Sequence, residues 1–240
     1  MIAKFAELKH IDDLLRGRKT RPELLEKGTD HIDAKRVLTA GLILGAVYGA
    51  FMGLFAVFQY GAPGFEQLAA SMLKVPLVFV LTLAVTFPSL YVFSAMMGGR
   101  CSPAALFKIL AAAIAVNCAI LASLGPITGF FTLSTTSYPF MRILNFIFFG
   151  IAGGVSLEFL RRSLQSLESV PVEGAPAAPK RLNHFFDLWM TLVVFVTFQM
   201  CWVLRPLIGD PLQPITWFSS READAFTDFF DTLGRLFGTG

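Results

Sequence analysis

The sequence predicts an all-α integral membrane protein, a bundle of five transmembrane helices with amphipathic helices at both termini. Three observations predict it. The chain of 240 residues is 55% hydrophobic and only 15% charged, whereas a soluble domain carries about a quarter charged residues. So few charges cannot cover a core of this size, and apolar surface must face lipid. Five apolar stretches each approach the ~20 residues that a helix needs to cross hydrocarbon. Finally, Lys and Arg are distributed very unevenly among the connectors between those stretches.

The stretches run over residues 37–60, 73–97, 104–124, 140–160 and 185–204 within a membrane domain of residues 36–208. None shows strand alternation. In lipid, a run of this length satisfies its backbone hydrogen bonds only as a helix. Pro88 in the second stretch predicts a kink, with Thr86 and Ser89 placed to re-satisfy the carbonyl it frees. Residues 1–35 are charged throughout, so the first stretch reads as a signal anchor rather than a cleavable leader.

Basic residues predict the orientation. Residues 1–36 hold nine Lys or Arg, and Arg100, Arg161, Arg162, Lys180 and Arg181 lie in connectors on the same side. The connectors 61–72 and 125–139 on the other side hold no Lys or Arg at all, and Lys74 and Arg142 at the neighbouring helix entrances can snorkel to the interface. By the positive-inside rule the N-terminus is cytoplasmic and the C-terminus outside. Trp189 and Trp202 fall near the two ends of the fifth span, as an aromatic belt would place them.

Three segments lie outside the spans. Residues 1–35 begin with an amphipathic pattern, Ile2, Phe5, Leu8, Ile11 and Leu15, that suits a helix lying on anionic lipid or docking a cytoplasmic partner. Residues 163–183, with Pro171, Pro176 and Pro179, read as a flexible linker. The tail, residues 209–240, is acidic. Phe226, Phe229, Phe230, Leu233, Leu236 and Phe237 share one face of a predicted helix that rests either in the interface or on another subunit.

The most specific pattern is in the first span, where Gly41, Gly45, Gly49 and Gly53 recur every four residues. Small residues at that spacing let another backbone approach closely. The reading favours a partner within the chain, such as the third span with Ala112, Ala115, Ala119 and Ala122, or the fourth with Gly150, Gly153 and Gly154. A second copy or another protein would use the same groove. Among intramembrane polar residues, Asn117, Asn145 and Gln199 suit interhelical hydrogen bonds worth about 1 kcal/mol each, or else the lining of a solute path. Glu158 suits a local pair with Arg161 or Arg162, and Asp187 the first turn of the fifth helix near His184.

No catalytic, metal or nucleotide motif stands out. The histidines His10, His31 and His184 have no ligand-spaced neighbours, and Cys101, Cys118 and Cys201 form no paired spacing. No enzyme activity, cofactor or nucleic-acid partner is therefore expected. The segment Gln199-Met-Cys-Trp-Val-Leu-Arg-Pro-Leu-Ile-Gly-Asp-Pro, followed by Trp217-Phe218 and Phe229-Phe230, resembles an element of bacterial multi-span inner-membrane proteins of uncharacterised function. Their element is W-x-L-R-P-x-x-G-x-P followed by aromatic residues and N-F-F or N-F-Y. Trp202, Leu204, Arg205, Pro206, Gly209 and Pro211 match it, and Asp228 replaces the asparagine. The resemblance implies a bacterial cytoplasmic (inner) membrane but carries no function; Arg205 and Trp217 in this element, with Phe226, Phe229, Phe230 and Leu233 on the tail helix, are the candidate interface residues. Two function classes follow: a scaffold or anchor of a larger membrane assembly, with the bilayer and a protein partner or second copy as its surroundings, and a small-solute or ion transporter or channel.

Overall fold

The computed structural model describes residues 33–96, 101–168, 180–204, 207–208 and 234, and among these the regular structure is helical. The elements are α1 (Ala34–Tyr60), α2 (Gly64–Met96), α3 (Pro103–Ser134), α4 (Tyr138–Glu168) and α5 (Lys180–Val203). All five are long and apolar enough to cross a membrane, and a multi-pass membrane protein is what they fit. The amphipathic patterns of residues 1–32 and of the tail lie outside the described residues.

Several helices outrun the apolar stretches that announce them. The connectors expected at 61–72 and 125–139 shrink to turns over 61–63 and 135–137. At the first turn, Gly61 caps α1 with φ +65°, a left-handed region that suits glycine, and its N–H donates to Val57 O. A side chain at Gly64 would run into the Ala56 carbonyl, so glycine there lets α2 fold straight back on α1. At the second, α3 continues through Pro126 because the Phe51 ring of α1 packs on Gly125 and Gly129 and holds the segment against the bundle. With 33 residues, α2 is about 50 Å long at 1.5 Å per residue, well beyond the ~30 Å of hydrocarbon.

The linker expected over 163–183 is likewise shorter, because α4 persists to Glu168 and α5 begins at Lys180. Leu164, expected in that linker, is fully buried beside Leu106, Leu160 and Phe186. That contact outweighs the polar composition around it.

α1 is the spine of the bundle, packed along its length on both α2 and α3. α4 covers α3, α5 leans on α2, and α4 and α5 touch, so the five helices close a ring. Two apolar clusters fill it. One, toward the α1–α2 turn, joins Tyr48, Met52 and Phe55 to Val78, Phe79, Leu121, Met141 and Phe148, together with Leu204 and Ile208 beyond α5. The other, toward the opposite end, joins Leu83 and Leu90 to Leu106, Ile109, Leu160, Leu164, Phe186 and Trp189. Phe149 of α4 meets both Tyr48 of α1, at 5.8 Å between ring centroids, and Phe79 of α2, at 6.1 Å. Three helices thus meet through aromatic rings across the bundle.

Candidate functional site

The residues singled out in the sequence fall into a glycine seam, a set of buried polar groups, and the segment after α5.

Gly41, Gly45, Gly49 and Gly53 are all buried. A methyl on Gly41 would lie 2.7 Å from Ala115 Cα, and one on Gly45 would lie 3.2 Å from Cys118 Sγ. On Gly49 it would meet the Ser71 carbonyl and come 2.9 Å from Met72 Cα, and on Gly53 it would lie 2.7 Å from Leu68 Cα. The stripe therefore faces α3 in its first half and α2 in its second. Toward α3 the contacts advance in the same direction along both chains, so the helices are parallel; toward α2 they run in opposite directions, as a hairpin requires. Ala115 is one of the partners weighed from sequence. Gly150, Gly153 and Gly154 of α4 were weighed as well, but they do not meet the seam, since nothing lies within 4 Å of a methyl added to any of them. Gly150 and Gly154 sit instead on an open face of α4 beside exposed Ile147, Ile151 and Val155.

Asn145 is buried, and its Oδ1 accepts a 2.6 Å hydrogen bond from the Tyr48 phenol while its Nδ2 donates to Met141 O at 2.7 Å. This side-chain bond ties α1 to α4. The Thr128 hydroxyl of α3 is buried and unbonded. A second cross-tie runs from Ser156 Oγ of α4 to Ala113 O of α3 at 2.8 Å. Asn117 is buried on α3 with its Oδ1 unbonded, as is the Thr82 hydroxyl on α2. Gln199 is half-buried on α5. Asn145 bonds to Tyr48 and Met141 O, whereas the Asn117 Oδ1 is unbonded.

Several positions differ from expectation. Lys74 is buried, only 2% exposed, rather than snorkelling at a helix entrance. The reason is that α2 starts nine residues earlier than its apolar stretch, which sets Lys74 three turns inside the helix. Trp189 is a core residue, 3% exposed, whose indole donates to Ser89 Oγ at 3.1 Å, and not part of an aromatic belt. Ser89 and Thr86 donate to Thr86 O and Thr82 O, so neither serves the Ala84 carbonyl that Pro88 frees. Asp187 lies two turns into α5 and forms a two-pronged pair with Arg161 of α4, at 3.0 and 3.1 Å. Glu158 pairs with Arg162 at 2.6 Å.

Beyond α5, Arg205, Trp217, Phe226, Phe229, Phe230 and Leu233 lie outside the described residues. Leu207 and Ile208 do not. Ile208 is buried in the cluster near the α1–α2 turn, and the Leu207 carbonyl accepts from Ser71 Oγ at 2.6 Å and from Gln67 Nε2 at 3.4 Å. Sequence reasoning missed Gln67 and Ser71 because it read them as connector. Their spacing of four, continued by Lys74 and Thr82, was the available signal for one buried helix face.

Among the described residues no group of His, Cys, Asp and Glu could hold a metal ion. No protein-family profile, curated protein or solved structure matches the chain.

Proposed function

We propose that this chain is a non-enzymatic component of a bacterial cytoplasmic membrane that scaffolds or anchors a larger membrane assembly. Its N-terminus lies inside and its C-terminus outside, and the tail makes the partner contact. The observation that supports this reading best is how the bundle uses its polar groups. Asn145 with Tyr48, and Ser156 with the Ala113 carbonyl, bond helix to helix. The rings of Tyr48 and Phe79 each meet Phe149 inside the bundle. Such an interior suits a rigid platform. The tail supplies the contact: a face of Phe226, Phe229, Phe230 and Leu233 with Asp224, Asp228 and Asp231 beside it suits an apolar partner surface rimmed with basic charge. The W-x-L-R-P element at Trp202–Pro206 places the start of that tail at the end of the last span.

One observation favours the transporter reading, namely the buried, unbonded Oδ1 of Asn117. The discriminating experiment deletes residues 223–240 and compares apparent size after mild solubilisation. The truncated chain is expected to insert at normal levels, since the spans satisfy their own backbones, and to migrate as a smaller particle. A complex of unchanged size would refute the tail contact.

A further inference from the structure

The glycine seam of α1 and the segment that follows α5 meet on the same two turns of α2. Gly49 and Gly53 lack the side chains that would meet the Ser71 carbonyl and come within 3.2 Å of Ser71 Cβ. Their absence lets α2 settle onto α1 with Ser71 and Gln67 fully buried. From there Ser71 Oγ reaches two acceptors, Gln67 O at 2.8 Å and Leu207 O at 2.6 Å. A hydroxyl has one proton to give, and the shorter contact assigns it to Leu207. Gln67 Nε2 adds a longer bond to the same carbonyl at 3.4 Å. On either side of this double acceptor, Leu204 and Ile208 are inserted in the apolar cluster, 3% and 4% exposed.

We infer that Leu207 and Ile208, with Leu204, act as a strap clasped by Gln67 and Ser71, and that Gly49 and Gly53 control the clasp through α2. The chain of cause is geometric. A side chain on Gly49 pushes the backbone of α2 at Ser71 and Met72 away from α1. Hydrogen bonds weaken steeply with distance and misalignment, so a shift of a few tenths of an ångström at Ser71 costs the strap its shortest bond. A strap that opens exposes Ile208. The inference holds whether or not the chain is a scaffold, because it concerns how Leu207 and Ile208 are held and not what the tail binds.

The test introduces Ile208→Cys into the full-length protein carrying Cys101→Ser and Cys201→Ala. In mild detergent, its labelling rate with a hydrophilic maleimide is measured. Ser71→Ala removes only the clasp hydroxyl and is expected to raise the rate by about fivefold, the shift that loss of one ordinary hydrogen bond gives in an opening equilibrium. Gly49→Ala is expected to raise it at least as much. Gly150→Ala, on the open face of α4, is expected to leave it unchanged. Labelling unaffected by Ser71→Ala overturns the clasp, a result independent of whether Gly49→Ala folds. Labelling raised by Ser71→Ala but not by folded Gly49→Ala overturns the control by the seam.

Discussion

Gly41→Ala and Gly150→Ala add the same methyl to two membrane helices and should have different consequences. At Gly41 the methyl carbon would lie 2.7 Å from Ala115 Cα and 3.0 Å from its Cβ. Carbon atoms pack best at about 3.5–4.0 Å, so α1 and α3 must part by about 1 Å locally. A gap of that size forfeits a quarter to a half of each dispersion contact beside it, and overpacking of this kind costs about 1–3 kcal/mol. At Gly150 no atom lies within 4 Å of the methyl. Both changes gain the same helix preference of alanine over glycine, about 1 kcal/mol, so that contribution cancels in the comparison. Gly41→Ala should be the less stable variant by about 1–3 kcal/mol. The assay is reversible unfolding in mixed micelles of increasing denaturing detergent, read by helical circular dichroism. Equal stabilities for the two variants would refute the claim that contact with Ala115, rather than helix preference, governs the first half of the seam.

The Tyr48–Asn145 bond makes a second prediction. Tyr48→Phe leaves the Asn145 carbonyl oxygen buried and unpaired, and should destabilise by about 1–2 kcal/mol. Combined with Asn145→Leu, the two changes should cost less than their sum, and strict additivity in the same unfolding assay would mean that no bond ties α1 to α4 there. The proposed orientation is tested by fusing a reporter that is active only outside the cytoplasm. It should be active after Gly240 and inactive within residues 174–179, and the reverse at either position would overturn the topology.

Composition and the length of apolar runs made the helical class and the five candidate spans legible, because hydrocarbon imposes both directly. Helix ends were less legible. Gln67, Ser71 and Lys74 precede the second apolar run and look like connector. α2 nevertheless holds them, because the glycines of α1 offer a close backbone surface and the Leu207 carbonyl offers a partner. Pro126 signals a break, yet the Phe51 ring seated on Gly125 and Gly129 keeps α3 continuous. Spacing identified Gly41, Gly45, Gly49 and Gly53 as one face, but could not say that α3 takes the first half and α2 the second. Asn145 stood out as an intramembrane polar residue. Its partner Tyr48 did not, since a tyrosine in an apolar run looks like any other aromatic until the helix facing it is known.

The two glycine patterns together show why spacing alone does not assign a role. On α1 a methyl added to any of the four glycines would come within 3.2 Å of a neighbouring helix, so replacing them would push helices apart. On α4 the same residue type at the same spacing, Gly150 and Gly154, faces open space between Ile147, Ile151 and Val155. The difference lies in position within the ring. α1 is flanked by two long helices that compete for its surface, and only glycine leaves room for both. α4 has its own cross-ties on its inner face, Asn145 toward α1 and Ser156 toward α3, and these already fix its rotation. Its glycines are therefore free of any demand from the bundle. Rigidity in this protein resides in the contacts of α1 and in a few buried hydrogen bonds. A bundle held that way presents fixed outer faces, which suits the proposed anchor.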